Sequence, residues 1–209
     1  TTHSRDIFGQ LPPEARIFVE NVNGKSIIFD SISPEYAFSK LSAENLNEVY
    51  LLVEDNVAKS LMNAVLPASI RSRISIEVIG SSSALIRQLS SNYIRKNKQN
   101  LVVLFDGDQR AKETANLKHG YTMTEINANA EVIKAWMKER IEYLPGETWP
   151  ESWIVQKCSE CIESLSAVLS IDKDRLVDVV KQGLEAGKHY EFTNIGEAIG
   201  LDETDTLNR

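Results

Sequence analysis

The chain has 209 residues, 42% of them hydrophobic and 25% charged, with 10 Gly, 6 Pro and 2 Cys and a net charge of −7. That is enough apolar material for a packed core, and it excludes bulk disorder, collagen-like repeats and a disulfide framework. No run approaches the roughly 18 to 20 apolar residues of a membrane span, so a reducing cytoplasm without membrane attachment is the expected setting.

Thr1-Thr2-His3-Ser4 lacks both an initiator Met and the basic-then-apolar pattern of a signal peptide, as expected of a piece of a longer polypeptide. Residues 16–20 and 26–30 are β-rich runs around Asn23-Gly24, a hairpin signal because both residues tolerate positive φ. Gly24-Lys25-Ser26 is not a phosphate-binding loop. Val19 stands where its first glycine is needed, and Ile27-Ile28-Phe29 continues as strand, not helix.

An alternating βα series follows. Val49–Val53 is a buried strand, and 57–66 a helix with Val57, Leu61 and Val65 on one face. Ile74–Ile79 is a second strand. Residues 82–96 form a helix led by Ser81-Ser82-Ser83 as N-cap, with Leu85, Ile86, Leu89 and Tyr93 at helical spacing. Leu101–Phe105 is a third strand. Continuous apolar strands between helices imply a parallel sheet covered on both faces, with ligands at the carboxyl ends of its strands.

Beyond Asp108 the pattern becomes helical. Ile126, Ala130, Ile133 and Met137 step by four, three and four, and 152–169, 172–185 and 191–199 continue as helices. No fourth strand is expected there, and Asp202 to Arg209 is expected to fray. Cys158-Ser159-Glu160-Cys161 has the spacing of half a zinc site. Its other half is missing, however, and Cys158, Cys161, Leu165 and Val168 also share a helix face, so a core helix is favoured. Trp136, Trp149 and Trp153 are expected to be packing residues.

Glu54 follows the first of these strands, and Asp106-Gly107-Asp108 follows the third. In a parallel sheet these acids converge on one rim, where like charges repel unless a cation neutralises them. Magnesium suits such hard oxygen ligands and keeps several waters, so two or three carboxylates suffice. Residues 51–100 carry seven basic and three acidic side chains against the acidic background. Their Arg71, Arg73, Arg87, Arg95, Lys96 and Lys98 are candidate contacts to a phosphate backbone.

Two stretches resemble a known family. Leu52-Val53-Glu54 and Leu104-Phe105-Asp106-Gly107-Asp108 resemble the Toprim domain, the metal-binding fold of topoisomerases, primases and OLD-family nucleases. Thr1-Thr2-His3-Ser4 resembles the switch ending an ABC-type ATPase lobe, with His3 as its histidine. Leu11-Pro12-Pro13-Glu14-Ala15-Arg16 and the hairpin resemble the tail of that lobe. Leu144-Pro145-Gly146 with Pro150-Glu151 resembles a late segment of OLD Toprim domains.

The resemblance implies an α/β fold divided at 1–43 (end of the ATPase lobe), 44–122 (a Toprim-like parallel sheet with flanking helices) and 123–209 (a helical C-terminal part). It also implies a metal-dependent DNA endonuclease. Asp106 and Asp108 would hold Mg2+ or Mn2+, Glu54 would be second-metal ligand or general acid/base, and Asp55 and Glu151 would be further ligands. ATP in a preceding lobe, DNA as substrate, homo-oligomerisation through that lobe and a nucleic-acid or protein partner in antiphage defence, with a retron as one setting, come with it. The family usually has Gly after the glutamate, where Asp55 stands, and often another acid where Ala58 stands. A degenerate Toprim serving DNA binding or assembly is an alternative. So is a receiver-like domain, resembled by Leu51-Leu52-Val53-Glu54-Asp55-Asn56, with Asp106 as phosphoacceptor; it would need two further βα units.

Overall fold

The computed structural model describes residues 4–22, 24–42, 47–95, 98–187 and 190–200. Strands β1 (Ile17–Val22) and β2 (Lys25–Asp30) form the expected antiparallel hairpin. Val22 pairs with Lys25, which leaves a two-residue connection, and Gly24 takes the positive φ of 78° that such a turn demands. The alternation sends Phe18 and Phe29 inward. There Phe29 packs with Phe8 of helix α1 (Arg5–Gln10) and with Ile32, Tyr36 and Ala37 at helix α2 (Pro34–Ser42).

The main sheet has four parallel strands: β3 (Val49–Val53), β4 (Ile74–Val78), β5 (Leu101–Phe105) and β6 (Ile141–Tyr143), in the order β4-β3-β5-β6. Its helices are α3 (Asn56–Val65), α4 (Ala68–Arg71), α5 (Ser82–Ile94), α6 (Glu113–Met123) and α7 (Ala130–Lys138), with a 3-10 segment over Gly107–Lys112. Strand alternation divides the core. Leu52, Val103 and Phe105 face Leu85, Ile86 and Leu89 of α5 with Ile133 and Met137 of α7, whereas Leu51, Val53 and Leu104 face Ala58 of α3. Each fully buried side chain of this kind contributes about 1.5 to 3 kcal/mol.

The region expected to be wholly helical needs two corrections. β6 is a fourth strand, whose Val103↔Ile141 to Phe105↔Tyr143 pairing extends the sheet beside β5. α6 is an additional helix, and Ile126 lies ahead of α7, not within it.

The last described residues form four helices, α8 (Pro150–Glu160), α9 (Ile162–Leu169), α10 (Lys173–Ala186) and α11 (Glu191–Ile199), around Val155, Leu176, Val180 and Phe192. The expected single helix over 152–169 is broken at Cys161. Cys158 packs in this core with its thiol pKa raised by burial, while Cys161 and Val168 are exposed, so the expected four-residue core face is only half formed. Likewise Val57 and Leu61 of α3 pack inward and Val65 is exposed. No helix among the described residues is long and apolar enough to cross a membrane. The fraying expected for 202–209 lies outside the described residues.

Candidate metal centre

The chain leaves β3 for β4 on one side, then returns to lay β5 on the other. The carboxyl ends of β3 and β5 therefore flank the point where winding reverses, the usual crevice of an open parallel sheet. Glu54 and Asp106 are the residues immediately beyond those two ends. The backbone of Glu54 is pinned from β4's side, its carbonyl accepting from Gly80 N–H at 2.9 Å. The backbone N–H groups of Asp106 and of Ser82, in the first turn of α5, favour its charged form and pull its pKa down. Ser81 caps that helix, accepting from Ala84 N–H at 3.2 Å, so the helix N-terminus faces the acids as the dipole favours.

Asp106 is 6% exposed. Burial, then the charges of Glu54, Asp55, Asp108 and Glu151, push its pKa from 3.8 to about 7. Glu54 is also raised, chiefly by burial and further by Asp108 and Asp55, against the two backbone donors that lower it. The five candidate acids thus converge on one field. Oε1 of Glu54 and Oδ1 of Asp106 are buried without a hydrogen-bond partner among the described residues, the condition a cation would relieve.

The other acids are held by the protein itself. Asp108 Oδ2 accepts from Lys112 Nζ at 3.1 Å and from Gln109 Nε2 at 2.8 Å. Asp55 Oδ1 caps α3, accepting from Ala58 N–H at 2.8 Å. Glu151 is buried in the first turn of α8. Accordingly, among the described residues no three His, Cys, Asp or Glu side chains are grouped to hold a metal ion as they stand. By donor chemistry the set suits a hard divalent cation. Glu54 and Asp106 present bare oxygens, and Asp108 must first exchange Lys112.

The segment 144–151 is seated against this rim. Leu144 N–H donates to Phe105 O at 2.8 Å, and Arg110 donates to Leu144 O at 3.1 Å while lying 5.2 Å from the centre of the Tyr143 ring. Gly107 is required there, because a Cβ would fall 2.6 Å from Gly146 O and 2.9 Å from Thr148 O. Gly146 has φ +86° and lies under the Trp153 indole. Trp149, expected only to pack, also donates from Nε1 to the buried Glu191 of α11 at 2.5 Å. Glu191, Lys112 and Gln109 had no local sequence signal.

The basic candidates are not brought to these acids. Residues just before a parallel strand lie at its amino end, and Arg71, Arg73, Arg95 and Lys98 all precede β4 or β5. Five-residue strands put them about 16 Å from the carboxyl rim. Arg71 donates to Asn63 O. Arg73 is tied up structurally: it pairs with Glu48 at 2.5 Å and donates to Asp30 O and Ser31 O, fastening the hairpin to the sheet. Arg87 is exposed midway along α5. His3 and Lys96 lie outside the described residues.

Fold and site together define a parallel α/β domain with an acidic crevice at its winding reversal. No known protein family matches the chain, and no curated protein does. Two solved structures are similar, both of the C-terminal region of the OLD protein of Xanthomonas campestris pv. campestris. The one phased with mercury has a TM-score of 0.43 and 11% identity over 77% of this chain and 84% of that one. The one phased with platinum has a TM-score of 0.40 and 12% identity over 78% and 89%.

Proposed function

We propose that the chain carries a metal-dependent phosphodiesterase centre acting on DNA, of the Toprim type found in OLD nucleases. The observation that supports this most is the pair of buried, unpartnered carboxylate oxygens, on Glu54 and Asp106, at the winding reversal of a parallel sheet. Mg2+ or Mn2+ would be held by these two residues, with Asp108 joining by release from Lys112 and with Asp55 and Glu151 contributing charge. Such an ion supplies charge neutralisation at the phosphate and a lowered pKa for water. Asp106 must give up its proton to act as a ligand, which its pKa of about 7 makes easy near neutrality. Glu54 would serve either as a ligand through Oε1 or, if the ion rests on the aspartates alone, as the group that takes or returns a proton there. The same resemblance implies a preceding ATP-binding lobe, oligomerisation through it, a cytoplasmic setting and a role in antiphage defence.

The test is nicking of supercoiled plasmid with Mg2+ or Mn2+, beside calorimetric titration of each metal. Metal-dependent nicking that disappears in Asp106→Asn protein is expected. Neither binding nor nicking would overturn the reading. A second reading, a degenerate Toprim serving binding or assembly, is favoured by the Lys112–Asp108 pair and the capping role of Asp55. It requires that metal fail to bind. The receiver alternative needs a fifth strand, and among the described residues only helices follow β6.

A further inference from the structure

The amino rim of the sheet carries a second constellation, unrelated to the acids. Tyr93, in the last turn of α5, meets Trp136 of α7 edge-on, with ring centroids 5.0 Å apart. Lys98 lies 4.4 Å from the Tyr93 centroid and 5.4 Å from that of Trp136. Arg140 lies 4.2 Å from the Trp136 centroid and donates to Trp136 O at 3.0 Å. Both rings are half-buried, anchored in the core below, while Lys98 and Arg95 are exposed. Arg95 is steadied by an amide oxygen, Gln99 Oε1 at 3.4 Å. Gln99, next to Lys98, is clamped to α5, since Asn92 donates to Gln99 O and accepts from Gln99 N–H, each at 2.9 Å. The two rings and Gln99 are therefore fixed before any ligand arrives, which lowers the ordering cost of binding.

We infer that Tyr93, Trp136, Lys98, Arg140 and Arg95 form a docking site for single-stranded nucleic acid. Lys98 and Arg95, neither ion-paired among the described residues, stand beside Arg140, which also pairs with Glu139 at 3.4 Å, and against a chain of net charge −7 this local cluster is complementary to phosphates. An acidic peptide or a duplex would use the cations and leave the rings idle, whereas an unpaired base uses both. An exposed cation over a ring is the weaker contact and a stacked base the stronger. A base can therefore displace Lys98 from the rings, and the freed ammonium can turn to the adjoining phosphate. Lying about 16 Å from the acids, the site holds a strand without cleaving it, and it does not depend on the nuclease reading.

Fluorescence anisotropy of the chain in EDTA tests this, with a labelled thymidine 12-mer, an abasic 12-mer and a blunt duplex as probes. EDTA keeps the acid rim silent, so the outcome is separate from that of the cleavage assay. The thymidine strand is expected to bind at least about fivefold more tightly than the abasic strand, as one stacked base provides. Trp136→Leu, which keeps an apolar side chain over the core, is expected to erase that preference. Exposed Lys98→Ala is expected to weaken both single strands and shrink the salt slope by about 0.7. Equal binding of thymidine and abasic strands, a preference for duplex, no binding, or an unchanged preference in folded Trp136→Leu protein would each overturn the inference.

Discussion

The two rims of the parallel sheet differ in the sign of the charge they gather and in how much of it is satisfied. At the carboxyl rim the acids crowd together, Asp106 and Glu54 are raised in pKa, and two of their oxygens lack partners. At the amino rim the cations are exposed or already satisfied, by Glu48 for Arg73 and by Gln99 for Arg95. The difference arises from topology. A parallel sheet sends every βα connection to one edge and every αβ connection to the other, so charges near in sequence separate by the length of a strand. Glu54 and Arg71 are only 17 positions apart, yet they fall at opposite edges. Unsatisfied groups mark the edge suited to chemistry, and satisfied ones the edge suited to holding structure or partners.

The comparison breaks most sharply if the acids prove dispensable. Asp106→Asn and Glu54→Gln are each expected to cut metal-dependent plasmid nicking about a thousandfold, the several kcal/mol that a positioned cation supplies. Asp108→Ala should follow if Asp108 exchanges Lys112 for the ion, and Lys112→Ala should then tighten Mn2+ in calorimetry. Retained nicking in Asp106→Asn protein would reduce the carboxyl rim to a strained version of the other.

Next in size is the seating of the loop over that rim. In Gly107→Ala the new methyl group meets the backbone at Gly146 and Thr148, which cannot swing aside as a side chain could. A loss of about 3 kcal/mol is expected in urea unfolding, with weaker metal binding because Glu151 moves with the loop. An equivalent alanine at Gly24 meets nothing within 4 Å and only strains a positive φ.

This rim was legible in the sequence for a physical reason. β3 and β5 are unbroken apolar runs buried on both faces, so their ends are sharp, and the acids just past those ends must share an edge. β6 was not legible. Ile141-Glu142-Tyr143 is three residues long with an acid in the middle, and only pairing with Val103 to Phe105 makes it a strand. α6 was hidden too, because it is polar nearly all round and carries Gly120. That glycine is there for packing, since a Cβ would sit 2.9 Å from Met137 Sδ. The Trp149–Glu191 bond joins residues 42 positions apart, which no local pattern reveals. The basic residues were legible as charge, and the position of Arg71, Arg73, Arg95 and Lys98 before strands β4 and β5 assigns those four the amino edge.

The pH dependence sharpens the same contrast. An acid whose folded pKa is raised favours folding most where both states are protonated and loses that support as pH rises. For Asp106, moved from 3.8 to about 7, metal-free stability should therefore fall between about pH 4 and pH 7. Half the full linkage value, about 2 kcal/mol, is expected once local rearrangement relaxes part of the field. The measurement is the difference in urea midpoint between wild-type and Asp106→Asn protein across that range. The asparagine variant should gain on the wild type as pH rises, and parallel curves would mean that the crowding of the carboxyl rim is not felt by Asp106.

Asp55 carries the smallest expected effect and the finest discrimination. It has two jobs available: capping α3 through Ala58 N–H, or lending charge to the neighbouring acids. Asn caps as well as Asp, so Asp55→Asn should leave stability within a few tenths of a kcal/mol, whereas Asp55→Ala should cost about 1 kcal/mol. Capping alone would also leave metal binding unchanged in Asp55→Asn protein. If its charge matters, the same variant removes one of the anions that raise Asp106, so the Asp106 pKa drops and its proton is easier to displace. At pH 6 that gain opposes the lost attraction for the cation, while at pH 8, where Asp106 is already ionised, only the loss remains. A metal affinity that weakens at pH 8 more than at pH 6 therefore assigns Asp55 to the site, and an affinity unchanged at both assigns it to the helix.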